Sequence, residues 1–459
     1  MKIAIVKRMV LLMVVVATGL ESIGQNQDST TVNKPAEKKI LTLDDCIAIA
    51  MKNNIQLKQT RNNAHIAKAN NFQSIMNFLP NVNGFGNFSL NNGTSFNSNI
   101  GQFATGSNES SFLSVSANMV LFNGMNNFYN KKATSLALES NVNLIKAQEQ
   151  TVQASVLGSY LAVVLDKENI KISEARIDLL SQQLEREKKR HSVGVGNLEQ
   201  VYNFQSQLAN ENLRLVNLQN QLLTDQLTLL QILQIEVSRD YEVAPYPFDE
   251  EVESVLEKEK YAEVLEESRA YSPSLKSAMA NANAAHYNFK RTQTSMVPTV
   301  SLIGDYSTQY SSLLRDNADQ VIPIGEQYEN LTNKGLELRL TVPIFNNYRN
   351  KTNTQVSKLN KENAELQLDQ AELDVTNTVQ RVYLDLINAQ ETYKAAEDNM
   401  VALNQSFEFV KTRYEHGNTD FYTYLESLNN KNRAEIELVN AKYSIIFRKK
   451  ILDVYRGLL

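Results

Sequence analysis

The sequence has no tryptophan, one cysteine, eight prolines and sixteen glycines in 459 residues, and each scarcity excludes something. A single thiol, Cys46, rules out an internal disulfide and any cysteine-rich metal site. Its setting, Cys46-Ile47-Ala48-Ile49-Ala50, is that of a small buried residue. The four histidines, at 65, 191, 286 and 416, have no ligand spacing such as H-E-x-x-H, so neither a metal nor a cofactor is expected. Few helix breakers in a long chain point to long uninterrupted helices. The formal charge is −5, and nothing is basic enough to suggest nucleic acid as a partner. Gly84-Phe85-Gly86 and Gly194-Val195-Gly196 lack the context of a dinucleotide loop. Asp44-Asp45 lies near a helix start, where capping accounts for it. With no catalytic constellation, no enzyme is expected.

Long apolar runs are also missing beyond the N-terminus. There, Lys2, Lys7 and Arg8 precede the run Met9 to Leu20, and small residues Ser22 and Gly24 follow. Residues 1–24 read as a signal peptide cleaved before Gln25, with a polar linker over 25–40. A retained anchor is the alternative, but the run is shorter than the ~20 apolar residues that span a bilayer. If the chain crosses a membrane elsewhere, it must do so with strands.

What the sequence does contain is itself, twice. Arg190-His191-Ser192-Val193-Gly194 resembles Arg413-Tyr414-Glu415-His416-Gly417, at an offset of 413 − 190 = 223. The same offset pairs Leu121-Phe122-Asn123 with Ile344-Phe345-Asn346, and Val156, Tyr160 and Leu161 with Val379, Tyr383 and Leu384. Upstream the offset is 298 − 80 = 218, pairing Pro80 with Pro298 and Gly86-Asn87-Phe88-Ser89 with Gly304-Asp305-Tyr306-Ser307. The second copy therefore carries 223 − 218 = 5 extra residues between its two strand segments, which places a variable exposed loop there. The first repeat covers 41–236 and the second 261–459, joined by an acidic connector over 237–260 with Pro245 and Pro247.

Each repeat contains two segments of period two. In Leu113 to Leu121 the odd positions are apolar and the even ones Ser114, Ser116 and Asn118; in Leu336 to Val342 the apolar positions are even, against Glu337, Arg339 and Thr341. Strands with one apolar and one wet face are expected at about 82–91, 111–122, 299–308 and 335–345. Each is long enough to cross a bilayer, as in outer-membrane barrels; a soluble sheet packed on a helix gives the same pattern. Four strands cannot close a barrel, which needs about eight or more, and open edges are not tolerated in lipid. Transmembrane strands here would have to be pooled among copies of the chain.

Long helices are expected at about 124–191, 198–235, 347–415 and 420–457. In the first, Val156, Val163, Ile170, Ile177 and Leu184 recur every seven residues, as do Val379, Leu386, Tyr393, Met400 and Phe407 in its copy. A second series, Leu165, Ile172 and Leu179, is displaced by two positions, roughly 200° around the helix. A dimeric coiled coil needs one seam; a helix within a closed wall needs one for each neighbour. In the second copy this seam is weaker, with Asn388, Ala395 and Ala402. The next helix continues the repeat through Val201, Leu208, Leu215, Leu222 and Leu229. An antiparallel coiled-coil hairpin, and with it an extracytoplasmic scaffold protein, is the competing reading.

These features resemble the TolC family of outer-membrane efflux channels. The resemblance rests on Leu79-Pro80 and Val297-Pro298 before the strands, Phe122-Asn123-Gly124 and Phe345-Asn346-Asn347 after them, and the duplicated turn ending Arg413-Tyr414-x-x-Gly417. It implies a mainly α fold with a membrane β-hairpin part, assembled as a homotrimer with a 12-stranded β-barrel in outer-membrane lipid on a 12-helix periplasmic α-barrel, the connector lying in the equatorial region. The implied function is the exit duct of a tripartite efflux or type I secretion system, working with a periplasmic adaptor and an inner-membrane pump. The helix-tip turns, with Arg190, Val193, Gly194, Arg413, His416 and Gly417, would dock the adaptor. The entrance would be gated at Tyr414, Glu426, Thr423 and Gln200. Thr423 and Gln200 depart from the acidic pattern, leaving one carboxylate ring at Glu426; a solvated helix face for Glu426 and a packing role for Tyr414 stay open.

Overall fold

The duplication is visible in the backbone itself. In a computed structural model, the described residues are 39–97, 101–236, 241–246, 255–256, 259–318 and 320–458. The expected signal segment, nearly all of the 25–40 linker and most of the 237–260 connector lie outside them. Residues 40–237 and 243–459 form one unit; 1–39 with 238–242 form another, of which only Lys39, Tyr241 and Glu242 are described.

The longer helices of the large unit are α1 (Leu43–Asn53), α2 (Ile55–Met76), α3 (Asn126–Ser192), α4 (Leu198–Leu233), α5 (Tyr261–Tyr271), α6 (Pro273–Gln293), α7 (Arg349–Glu415) and α8 (Phe421–Arg456). Both α3 and α7 have 67 residues, and both α4 and α8 have 36. At 1.5 Å per residue the longer pair run about 100 Å each. Helices α3 and α7 each start from two consecutive left-handed residues, Gly124 and Met125 in one copy, Asn347 and Tyr348 in the other. Gly124 is obligatory, because a Cβ there would lie 2.7 Å from that of Val297. The starts are fastened alike: Asn127 Nδ2 donates to the Asn77 carbonyl at 3.1 Å, and Asn350 Nδ2 to that of Ser295 at 2.8 Å.

Four helices lie side by side at each of two levels. The first half of α3 packs on α2 and α6, with Thr134 Oγ1 donating to Ser74 Oγ at 2.8 Å and the Ser140 and Ser277 hydroxyls 2.9 Å apart. Its second half packs on α4 and α8, where Ser173 Oγ donates to Glu211 at 2.8 Å. Helix α7 likewise packs on α6 and α8. The end of α4 abuts the start of α2, where the Ile55 N–H donates to Gln234 Oε1 at 2.9 Å. The end of α8 meets the end of α5 through Gly457, whose Cβ would sit 2.4 Å from the Tyr271 ring. On α3 and α7, Val156, Val163, Leu184, Val379, Leu386 and Phe407 are buried. Leu165, Ile172 and Leu179 are half-buried, whereas Asn388, Ala395 and Ala402 are exposed.

The strands β1 (Asn81–Asn97), β2 (Gln102–Phe122), β3 (Thr299–Ser311) and β4 (Thr332–Thr341) form one antiparallel sheet in that order. Its register sets Val115 opposite Gly84 and Tyr306, and Leu302 opposite Leu338, so the apolar positions of all four strands share one face. That face is uncovered: Leu336, Leu338 and Leu340 are 79%, 68% and 64% exposed. The other face carries Asn83, Ser114, Ser116, Asn118, Ser307, Glu337 and Arg339. The first hairpin runs past the expected 91 and starts its return before 111, because residues 91–97 and 102–110, mostly polar, continue the ladder without apolar alternation. β4 stops at Thr341 rather than about 345, as Pro343 has no N–H to extend a ladder. The extra length of the second copy folds as a segment with the short helix Ile324–Asn330, whose Gln327 side chain bonds the Ser311 backbone on β3 beyond the end of β4.

Candidate functional site

The two turns that end the long helices lie against one another. In the first, Val195 and Gly196 both donate to the Arg190 carbonyl at 3.0 Å, and Gly194 takes φ +80°. A Cβ on Gly196 would fall 2.7 Å from the His191 backbone nitrogen, so only glycine fits. In the second, Gly417 takes φ +73° and Asn418 donates to the Arg413 carbonyl at 2.8 Å. The two arginines differ: Arg413 Nη2 donates to the Asn418 carbonyl within its own turn at 3.2 Å, whereas Arg190 pairs with Glu187 at 3.2 Å. Val193 and His416 are the C-caps of α3 and α7, and Val193 and Val195 are exposed at the tip.

Behind the turns is an aromatic cluster. Tyr414 stacks on Tyr424 with centroids 4.7 Å apart, and Phe204 meets Phe421 edge-on at 4.8 Å. Leu180, Leu184, Val201, Phe407 and Leu428 complete it. Tyr414 is buried, and its hydroxyl donates to Glu187 Oε1 at 3.3 Å. Burial, reinforced by the Glu187 charge, holds the Tyr414 phenol above its ordinary range, so it stays a donor. Burial pushes Tyr424 up to about 12. The structure thus places Tyr414 inside the wall, bonding α7 to α3.

Of the other three gate candidates, Gln200 lines the same cleft as Tyr414 and Phe421, whereas Thr423 and Glu426 do not. Thr423 Oγ1 donates to Asp420 Oδ2 at 2.6 Å and its N–H to Asp420 Oδ1 at 3.0 Å, so the residue standing where an acid was expected belongs to the N-cap of α8. Glu426 is exposed, one turn further along the same flank of α8. Gln200 is half-buried in the first turn of α4, its N–H on the Asn197 carbonyl at 3.1 Å.

Sequence reasoning did not find Glu187, Glu199 or Tyr422. Tyr422 donates from its hydroxyl to Glu199 Oε1 at 2.6 Å, a bond that raises its own pKa and ties α8 to α4. The repeat offset contained the signal, since 422 − 199 = 223. Glu187 could have been noticed as a carboxylate continuing the buried stripe Leu180–Leu184. A further tie joins Arg186 to Glu415 at 3.4 Å. A cleft of about 230 Å³ between the turns is lined by Arg190, Glu199, Asn203, Tyr414, Asp420 and Tyr422, among others. Among the described residues no group of three or more His, Cys, Asp or Glu is placed to hold a metal ion, and no helix is long and apolar enough to cross a membrane.

The outer membrane efflux protein family matches residues 46–233 and 264–450, one match for each repeat. The toxin and drug export protein A of Aggregatibacter actinomycetemcomitans is 22% identical over 180 residues, which is 39% of this chain and 36% of that protein. The chain thus aligns with little more than a third of that relative's length. Among solved structures, the Vibrio cholerae outer membrane protein VceC shares 14% identity at a TM-score of 0.75, over 90% of this chain and 96% of its own. The Campylobacter jejuni outer membrane channel CmeC shares 16% at 0.74, over 96% and 94%. With both repeats matched and the fold shared over most of its length, the chain belongs to the outer membrane efflux protein family, whose members are channel proteins of the outer membrane and not enzymes.

Proposed function

We propose that three copies of the chain close into an exit duct, a twelve-stranded barrel in outer-membrane lipid standing on a twelve-helix periplasmic tunnel. The observation that carries this is the sheet: four strands with an uncovered apolar face and a free edge on β1 and on β4 among the described residues. Such edges have no place in lipid unless another copy pairs with them. Eight strands make a barrel whose interior side chains nearly fill it, whereas twelve leave room for a bore. The helices support the same count. Exposed Val356, Leu359, Leu366 and Leu373 form a stripe on α7, and exposed Ile66 and Phe72 on α2 with Leu213, Val216 and Leu223 on α4 offer apolar surface at the opposite end of each level. The scaffold alternative leaves these surfaces in water.

The duct would export small molecules or proteins, a reading supported by the name of the Aggregatibacter relative. Its tips, with Arg190, Val193, Gly194, Arg413, His416 and Gly417, would meet a periplasmic adaptor and through it an inner-membrane pump. Glu426 would form the carboxylate ring of the entrance, with Tyr414, Thr423 and Gln200 setting the helices around it; repeated around a narrow bore, a carboxylate selects for cations. Light scattering of the detergent-purified protein should give the mass of three chains, and planar bilayers should register ion-conducting channels. A folded, water-soluble monomer or dimer refutes the duct. Photo-crosslinkers at Val193 and His416 should capture adaptor in cells, and no capture from either tip removes the docking assignment.

A further inference from the structure

Two aromatic residues lie on the polar face of the sheet, Phe85 and Phe112. On that face β1 presents Asn83, Phe85, Asn87 and Ser89, and β2 presents Ser110, Phe112, Ser114 and Ser116. Phe85 and Phe112 are therefore turned away from the apolar face. Their rings meet at 6.4 Å and 51°, yet they stay 59% and 38% exposed. Asp305 lies on the same face two strands over and one step along from Phe85, roughly 12 Å between backbones, since the register sets Ser114 beside Phe85 and Ser307, and Ser116 beside Asn83 and Asp305. Opposite Asp305 is Gly335, where a Cβ would come within 2.3 Å of the carboxylate; the glycine leaves the acid room to lie across β4. The other charges on this face, Glu337 and Arg339, neutralise each other through two contacts of 2.7 and 3.1 Å. The polar face of each copy thus carries an exposed aromatic pair and, within roughly 12 Å of Phe85, a carboxylate that the Glu337–Arg339 pair leaves uncompensated.

We propose that Phe85, Phe112 and Asp305 form a transit site for aromatic organic cations. This rests on the duct reading, in which the polar face lines the bore. The ring faces attract a cation through their quadrupole and stack on its aromatic groups, and the carboxylate supplies the complementary charge. Strands about 4.8 Å apart and tilted by about 40° give a twelve-stranded barrel roughly 24 Å across between backbones. Three phenylalanine pairs do not seal that width, so the site holds cargo briefly rather than blocking the pore, as conduction requires.

Single-channel recording of the full chain in planar bilayers tests the site, with tetraphenylphosphonium as the aromatic cation and tetraethylammonium as the non-aromatic one. Tetraphenylphosphonium should produce resolvable blocks in the unaltered channel. Phe85→Ser/Phe112→Ser should shorten their dwell time about tenfold, and Asp305→Asn severalfold, with tetraethylammonium little changed by the aromatic substitutions. Phe85→Leu/Phe112→Leu keeps apolar bulk and guards against misfolding; it should shorten the tetraphenylphosphonium dwell while leaving the open-channel conductance intact. Conducting channels with equal dwell times in the unaltered and leucine forms, or with both probes affected alike, overturn the site and leave the duct standing. An unaltered chain that forms no channel overturns both.

Discussion

Asp166 in α3 and Asp225 in α4 make the helical wall sensitive to pH. Asp166 is buried, and burial together with a hydrogen bond to Asp225 and the charge of that carboxylate raises it from 3.8 to about 7. Below pH 3.8 the folded and unfolded chains both hold the proton. Between 3.8 and 7 only the folded chain holds it, so stability falls as pH rises, and above 7 the whole loss is present. A rise of about three pH units corresponds to roughly 4 kcal/mol. The proton belongs to the pair, and Gln221 Nε2 also donates to Asp225 at 3.1 Å, so about 2 kcal/mol per chain is the working figure. Asp166→Asn places an amide donor against Asp225 and removes the need for the proton. Thermal unfolding of the purified protein should show a gain of about 2–5 °C at pH 8 and almost none at pH 4. A loss of stability of the same size at both pH values refutes the shared proton.

Other perturbations separate structure from gating. Tyr422→Phe removes the bond to Glu199 between α8 and α4; being exposed, it should leave stability little changed while raising single-channel conductance, and unchanged conductance refutes a role in holding the tips closed. Arg176 pairs with buried Glu211 at 3.2 Å and donates to Asn429 on α8 at 2.6 Å; Arg176→Met should destabilise by about 3–5 kcal/mol in urea titrations, and Arg176→Met/Glu211→Leu should recover most of it. Gly196→Ala meets backbone at 2.7 Å whereas Gly194→Ala meets open space but keeps φ +80°, so both should speed proteolysis at the first tip, Gly196→Ala the more. Glu426→Gln should leave folding unchanged and weaken the block of conductance by divalent cations; an unaltered response removes Glu426 from the entrance.

Much of the fold was legible because the chain repeats itself. The 223-residue offset found in the sequence is the offset between the starts of α3 and α7, between Gly194 and Gly417, and between the left-handed ends Gln234 and Gly457. Period-two alternation identified four strands wherever one face was apolar. It missed their polar extensions, because a ladder of Asn, Ser, Thr and Gly pairs its backbone without marking a face. At the tips, seven-residue spacing found Leu184 and Phe407 but not the partners that cross between helices. Tyr414 stood out through its turn motif, yet its bond to Glu187 depends on how two helices from different repeats lie together. Thr423 looked like a lost acid and is part of a cap, a role that its spacing from Asp420 encodes.

The two repeats are alike in length and unlike in how firmly they are held, and this bears on which moves if the duct opens. Helix α3 has neighbours on both sides within its own chain, and its second half is fixed by Arg176, Glu211 and Asn429 across three helices. Helix α7 packs on α6 and α8 while Asn388, Ala395 and Ala402 stay exposed. In a closed ring that flank of α7 faces the next copy with Asn388, Ala395 and Ala402 between the exposed Leu384 and Phe409, so its middle buries little apolar surface. The aromatic cluster and the bonds Tyr414–Glu187 and Tyr422–Glu199 then fasten the second repeat's tip to the first. The α7–α8 hairpin is thus gripped at its tip and lightly packed along its flank. Releasing a few bonds at the tip frees it, whereas moving α3 requires breaking a buried ion pair. Crosslinking α7 to α3 near Tyr414 should therefore hold the channel shut, and crosslinking α3 to α4 near Ser173 and Glu211 should leave opening intact.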